Sequence, residues 1–130
     1  MLVLAVLLLL STLMSCNALP HSEPEGHLAH TVYFWLKADA DPALPDAMVR
    51  YYQHEVVRAP GVVSVFAGVA RPSDRDVVDD SFSVGTTVVF ASSAAEVAWQ
   101  TEPIHDELKR RFLPSVDHVV VYDTLITSPH

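Results

Sequence analysis

The sequence is poor in cysteine, glycine and basic residues, and each shortage excludes something. Its one cysteine is Cys16, so no disulfide can close within the chain and an apolar core must supply the stability. The four glycines are scattered, and none stands in a phosphate-cradling loop, which leaves a nucleotide-binding reading without support. Eight Lys and Arg against sixteen Asp and Glu leave a formal charge of −8. Such a chain repels phosphate backbones and anionic headgroups, so nucleic acid is not an expected partner. The one basic cluster, Lys109-Arg110-Arg111, has Asp106 and Glu107 beside it and reads as a solvated helix face. No apolar run reaches the roughly 20 residues that span a bilayer.

What apolar run there is lies at the N-terminus, unbroken from Met1 to Leu10 and reaching Met14 at most before Asn17, Pro20 and Glu23. A run of that length is an export signal. Leu13-Met14-Ser15-Cys16 has the pattern of a bacterial lipobox, in which the cysteine receives diacylglycerol and becomes the mature N-terminus. The expectation is a lipoprotein signal peptide over 1–15, cleaved before Cys16, and a cell-envelope protein on the periplasmic side that touches the membrane only through its lipid. An ordinary secretory signal with a free thiol at Cys16 is the other reading, and it makes the protein secreted. Residues 16–27 mix Pro, Ser, Glu and Gly without apolar periodicity, as a flexible tether does. The 114 residues after Cys16 suffice for one domain, expected over 28–126 with a tail at 127–130.

His30 to Leu36, Val62 to Val69, Phe82 to Phe90 and Val116 to Asp123 are β-branched and aromatic runs of strand length. Met48, Tyr52 and Val56 recur four apart after Asp41-Pro42, a helix-opening pair. Ser93 with Glu96 forms a capping box for a second helix. Pro103 interrupts or restarts that helix, and Ile104, Leu108 and Phe112 then share one face. The order is βαββαβ, an α+β, ferredoxin-like pattern with a four-stranded antiparallel sheet and two helices. In the first strand Val32, Phe34 and Leu36 alternate with Tyr33 and Trp35, and in the last Val119 and Val121 alternate with Val120 and Tyr122. Both sheet faces are therefore apolar. Two helices cover one, so a second copy of the chain is the expected cover of the other.

Among seven histidines, His54-Glu55-Val56-Val57-Arg58 comes near a zinc-protease motif, but Arg58 replaces the second ligand, so no metal is expected. His21, His27 and His130 fall in the tails, and His118 at a strand start suits an edge or interface. His105 and His30 sit where apolar side chains converge. An imidazole there is either a general base in a partly dry pocket or a structural hydrogen-bonding group. No Ser-His-Asp arrangement is legible, and no cofactor is called for.

His30-Thr31-Val32-Tyr33-Phe34-Trp35-Leu36-Lys37, Ala59-Pro60-Gly61-Val62 with Gly68, Val77-Val78-Asp79, Trp99-Gln100-Thr101-Glu102-Pro103-Ile104-His105 and Val119-Val120-Val121-Tyr122-Asp123 follow one another as do the landmarks of the stress-responsive A/B barrel (Dabb) family, which the chain resembles over about 28–125. The resemblance implies a dimeric α+β barrel. It also implies a pocket between sheet and helices, which a plant polyketide cyclase of the family uses for an aldol-type ring closure. The catalytic histidine of that cyclase falls on His105 and its strand-one pocket histidine on His30. Trp99 stands in place of its tyrosine and Glu102 in place of a further histidine, and an indole cannot exchange protons as a phenol does.

Period two from His30 puts Val32 and Phe34 on the pocket face, and the register implied by the resemblance adds Thr86, Val88, Val119 and Val121. Met48 and Tyr52 from the first helix, with Trp99, His105 and Leu108 from the second, are expected opposite. Tyr52, Thr86 and Glu102 are the polar groups in reach. Such a site fits an envelope module that binds a small apolar or aromatic molecule. Two alternatives stand beside it: a cofactor-free enzyme (cyclase, isomerase or monooxygenase-like) with His105 as base, and a purely structural or protein-interaction dimer.

Overall fold

A computed structural model describes residues 26–127. The expected signal peptide, Cys16, most of the tether, His21 and His130 lie outside the described residues. Four strands and three helices follow in the order β1 (Leu28–Leu36), α1 (Leu44–His54), β2 (Val62–Val69), β3 (Val84–Phe90), α2 (Ser93–Trp99), α3 (Pro103–Phe112) and β4 (Val116–Leu125). The strands form one antiparallel sheet in the order β2-β3-β1-β4. This is the ferredoxin-like α+β fold, with both split βαβ halves covering one sheet face.

The helix count differs from the two expected, and Pro103 is the reason. A proline lacks the backbone N–H and crowds the residue before it out of the helical region. Glu102 is accordingly extended, at ψ 138°, and α3 starts afresh with Pro103 in its first turn. The capping box read at Ser93 is also corrected. Ser92 is the cap, its hydroxyl accepting from the Ala95 N–H at 3.1 Å, and the Glu96 carboxylate instead accepts from the Gln100 amide one turn on. Asp41 does not open α1 directly. It accepts from the Ala43 N–H at 2.9 Å in a turn, and the helix begins three residues later with Pro45 in its first turn.

The core lies between this sheet face and the helices. Phe34 on β1, Val84, Val88 and Phe90 on β3, Met48 and Val56 beneath α1, and Trp99, Leu108 and Phe112 on α2 and α3 are all buried. Tyr51 ties the helices together, donating its hydroxyl proton to the Ile104 carbonyl at 2.8 Å and meeting Phe112 edge-on. Gly61 turns the chain into β2 at φ 78°. A Cβ there would meet the Ala95 Cβ at 2.7 Å, so the turn requires glycine for conformation and for space.

Candidate functional site

Strand register decides which side chains face the helices. His30 lies opposite Val88 on β3 and Asp123 on β4, Val32 opposite Thr86 and Val121, and Phe34 opposite Val84 and Val119. Cross-strand neighbours share a face, so these residues form the floor under α2 and α3. Between floor and helices is a cavity of about 200 Å3. Of the expected pocket residues, it brings together His30, Val32, Phe34, Tyr52, Val88, Trp99, His105, Leu108, Val119 and Val121.

Met48 and Thr86 do not line it. Met48 is fully buried in the core beneath α1. Thr86 is also buried, with its hydroxyl 3.4 Å from the Val32 carbonyl and against the Tyr52 hydroxyl. Glu102 is the residue that precedes α3, and it contributes no side chain to the cavity. His54 closes α1 and is exposed, and among the described residues no cluster of three metal-ligating side chains occurs. His118 stacks on Trp35 on the opposite sheet face, with ring centroids 4.4 Å apart.

The two imidazoles are held differently. His105 comes off the first turn of α3, which Pro103 sets. Its ring packs against Trp99 at 4.7 Å, and its Nδ1 lies 3.4 Å from the Gln100 carbonyl. A carbonyl can only accept, so Nδ1 carries the proton and Nε2 keeps its lone pair. Burial holds its pKa below the usual 6.5, and the nearby Lys109 ammonium and His30 act in the same sense, against the Gln100 carbonyl and Asp106. His30 Nδ1 lies 2.6 Å from Asp123 Oδ1 across the β1–β4 ladder, with the ring edge-on to Phe90. Burial pushes the Tyr52 hydroxyl well above its usual range, which keeps it protonated.

Gln100, Lys109 and Leu113 also line the cavity, and sequence reasoning missed them together with Asp123. Asp123 pairs with His30 only through the antiparallel register of two strands 93 positions apart, which no local pattern announces. Gln100 and Leu113 sit in the breaks after α2 and α3, where apolar periodicity stops carrying information. Lys109 is one step from Leu108 and was legible only as a charge.

A family model described as "Stress responsive A/B Barrel Domain" matches residues 28–126. No curated protein matches the chain in sequence. Solved structures do match in fold. A hydroxynitrile lyase from Passiflora edulis superposes with a TM-score of 0.69 at 20% identity, covering 83% of this chain and 99% of that one. A Dabb family protein with a ferredoxin-like fold from Mesorhizobium loti gives 0.63 at 22%, covering 80% and 100%. A dimeric protein of unknown function with a ferredoxin-like fold from Bacteroides fragilis gives 0.66 at 11%, covering 80% and 100%.

Proposed function

The chain belongs to the stress-responsive A/B barrel domain family, and from that premise we propose that it is a homodimeric envelope lipoprotein whose pocket between sheet and helices binds a small apolar or aromatic molecule. One observation carries the binding reading. The fold leaves a cavity of about 200 Å3 walled mainly by Val32, Phe34, Val88, Leu108 and Trp99, and a half-buried imidazole borders it. Apolar walls with few polar groups are what small-molecule sites have.

The dimer reading rests on the sheet face that no helix covers. Tyr33, Trp35, Val120 and Tyr122 line an open depression there, and Phe66 on the same face is 65% exposed. A second copy is the cover this face asks for, and the Bacteroides fragilis neighbour is described as dimeric. The lipid anchor rests on the sequence around Cys16 alone. Metabolic labelling with a fatty-acid analogue tests it, and a Cys16→Ala chain that takes up as much label as the wild type ends that reading.

A catalytic reading of the same pocket has its own support. His105 is neutral at physiological pH with Nε2 free, as a general base must be, and one fold neighbour is a lyase by name. Its catalysis would be cofactor-free, a proton transfer to His105. The experiment is native mass spectrometry of the purified chain against a panel of small aromatic compounds, repeated on His105→Ala. The variant is expected to fold with little loss of stability and to lose the adducts. A variant that unfolds readily, together with a wild type that retains no compound, would leave the purely structural or protein-interaction dimer as the reading.

A further inference from the structure

The polar groups of the pocket are unequal in a way that bears on what it selects. Three of the four non-imidazole donor groups on its lining have a protein partner, the Trp99 indole N–H being the fourth. The Gln100 amide donates to Glu96, Lys109 reaches the Asp106 carboxylate at 2.8 Å, and the Tyr52 hydroxyl lies against Thr86. The imidazoles are the opposite case. A carboxylate can only accept, so in the neutral ring the 2.6 Å contact with Asp123 places the His30 proton on Nδ1 and leaves Nε2 to accept. The Gln100 carbonyl does the same to His105.

We propose that Asp123 is a positioning residue that holds His30 as the pocket's second hydrogen-bond acceptor, so that the site selects a hydroxyl-bearing apolar or aromatic molecule over its isostere without the hydroxyl. This deepens the small-molecule reading above and rests on it. The His30 side chain is 14% exposed and the Asp123 side chain 48%, so the carboxylate is reached from solvent while the imidazole is turned inward. A buried acceptor that meets a methyl group stays unpaired at a cost, and one that meets an O–H does not. Toluene is the more hydrophobic of the pair phenol and toluene, so burial alone favours toluene. A preference for phenol therefore reads out the acceptors.

The test uses the purified full chain, phenol and toluene as probes, and histidine labelled with 15N. Wild type is expected to bind phenol about ten-fold more tightly than toluene, the difference one satisfied buried acceptor makes. Long-range 1H–15N spectra should show His30 protonated on Nδ1. In Asp123→Val the side chain suits a strand but cannot accept, so the His30 proton should move to Nε2 and the preference for phenol should fall, with His105 left as the one acceptor. Asp123→Asn keeps an oxygen that can accept and should restore both. Equal binding of the two probes by wild type, or a His30 proton that stays on Nδ1 in Asp123→Val, overturns the proposal and leaves the pocket reading standing. Binding of neither probe overturns the pocket reading, and the proposal with it.

Discussion

The two faces of the sheet are made of similar residues and live in different surroundings. On the helix face Val84, Val88, Phe90 and Phe34 are at most 3% exposed. On the other, Phe66 and Tyr122 are 65% and 59% exposed, beside the partly covered Tyr33 and Trp35. The first face is finished by the chain's own helices. On the second, the loop after β2 covers only one end, with Phe82 packed on Tyr33 at 4.8 Å and the Ser81 hydroxyl accepting from the Trp35 indole N–H at 3.0 Å. The contrast separates two uses of one apolar pattern: helices laid over a face make a core, with a cavity only where they part, whereas a face left bare makes a surface for association. The gap belongs to the finished face. It opens where α2 stops at Trp99 and α3 starts at Pro103, and toward β4, where Val119 and Val121 remain 43% and 45% exposed.

That contrast can be broken by truncating one aromatic on each face. Phe90→Ala removes a fully buried ring that packs on Trp99 and His30, and should cost about 3–5 kcal/mol of folding stability. Urea denaturation measures it. Phe66→Asp changes a side chain that its own protomer leaves mostly bare, so it should cost the protomer little. In a dimer it buries a charge against apolar side chains and should weaken association by about 2 kcal/mol or more. Sedimentation at several concentrations reads that second effect. A wild type that sediments as a monomer at micromolar concentration, indistinguishable from Phe66→Asp, would show that the bare face has no second copy over it.

The sheet was legible because its strands are β-branched and aromatic runs of strand length, with period two plain in the sequence of β1. Val32 and Phe34 alternating with Tyr33 and Trp35 give both the strand and its two apolar faces, without reference to any partner. The helices were legible as apolar stripes, Met48 with Tyr52 and Leu108 with Phe112, but not in their number. A proline inside a periodic segment signals a break without saying whether the helix bends or restarts, and here it restarts. The capping serine was misplaced by one residue because Ser92 and Ser93 are both competent and only backbone geometry chooses between them. At the site, strand phase and family register gave most of the wall. They could not distinguish a residue on the wall from one buried off it, as with Met48 and Thr86, because both are apolar-facing positions of the same stripe. The His30–Asp123 contact depends on register between β1 and β4, which is tertiary information.

A finer test of the finished face lies in how the His105 imidazole responds to acid. His105 is held below its usual 6.5 chiefly by burial, with Lys109 and His30 adding to the effect and the Gln100 carbonyl and Asp106 opposing it. In the unfolded chain this histidine titrates near the ordinary value. As pH falls, the unfolded state therefore takes up the proton first, and folding stability declines from above 6.5 down through the folded-state pKa. His105→Gln removes that titration and keeps a polar side chain of similar length. The wild type should hold its largest advantage over the variant at about pH 8 and lose part of it by about pH 5, in urea denaturation at both. Other groups titrate over the same range, but they are common to both proteins and cancel in the difference, provided His30 and Asp106, the nearest of them, keep their positions. A difference that stays constant with pH would mean that His105 is solvated in the folded protein. Its lone pair would then be no drier than that of a surface histidine, and the case for a general base at that position would be lost, while the core beneath Phe90 and Met48 would stand unchanged.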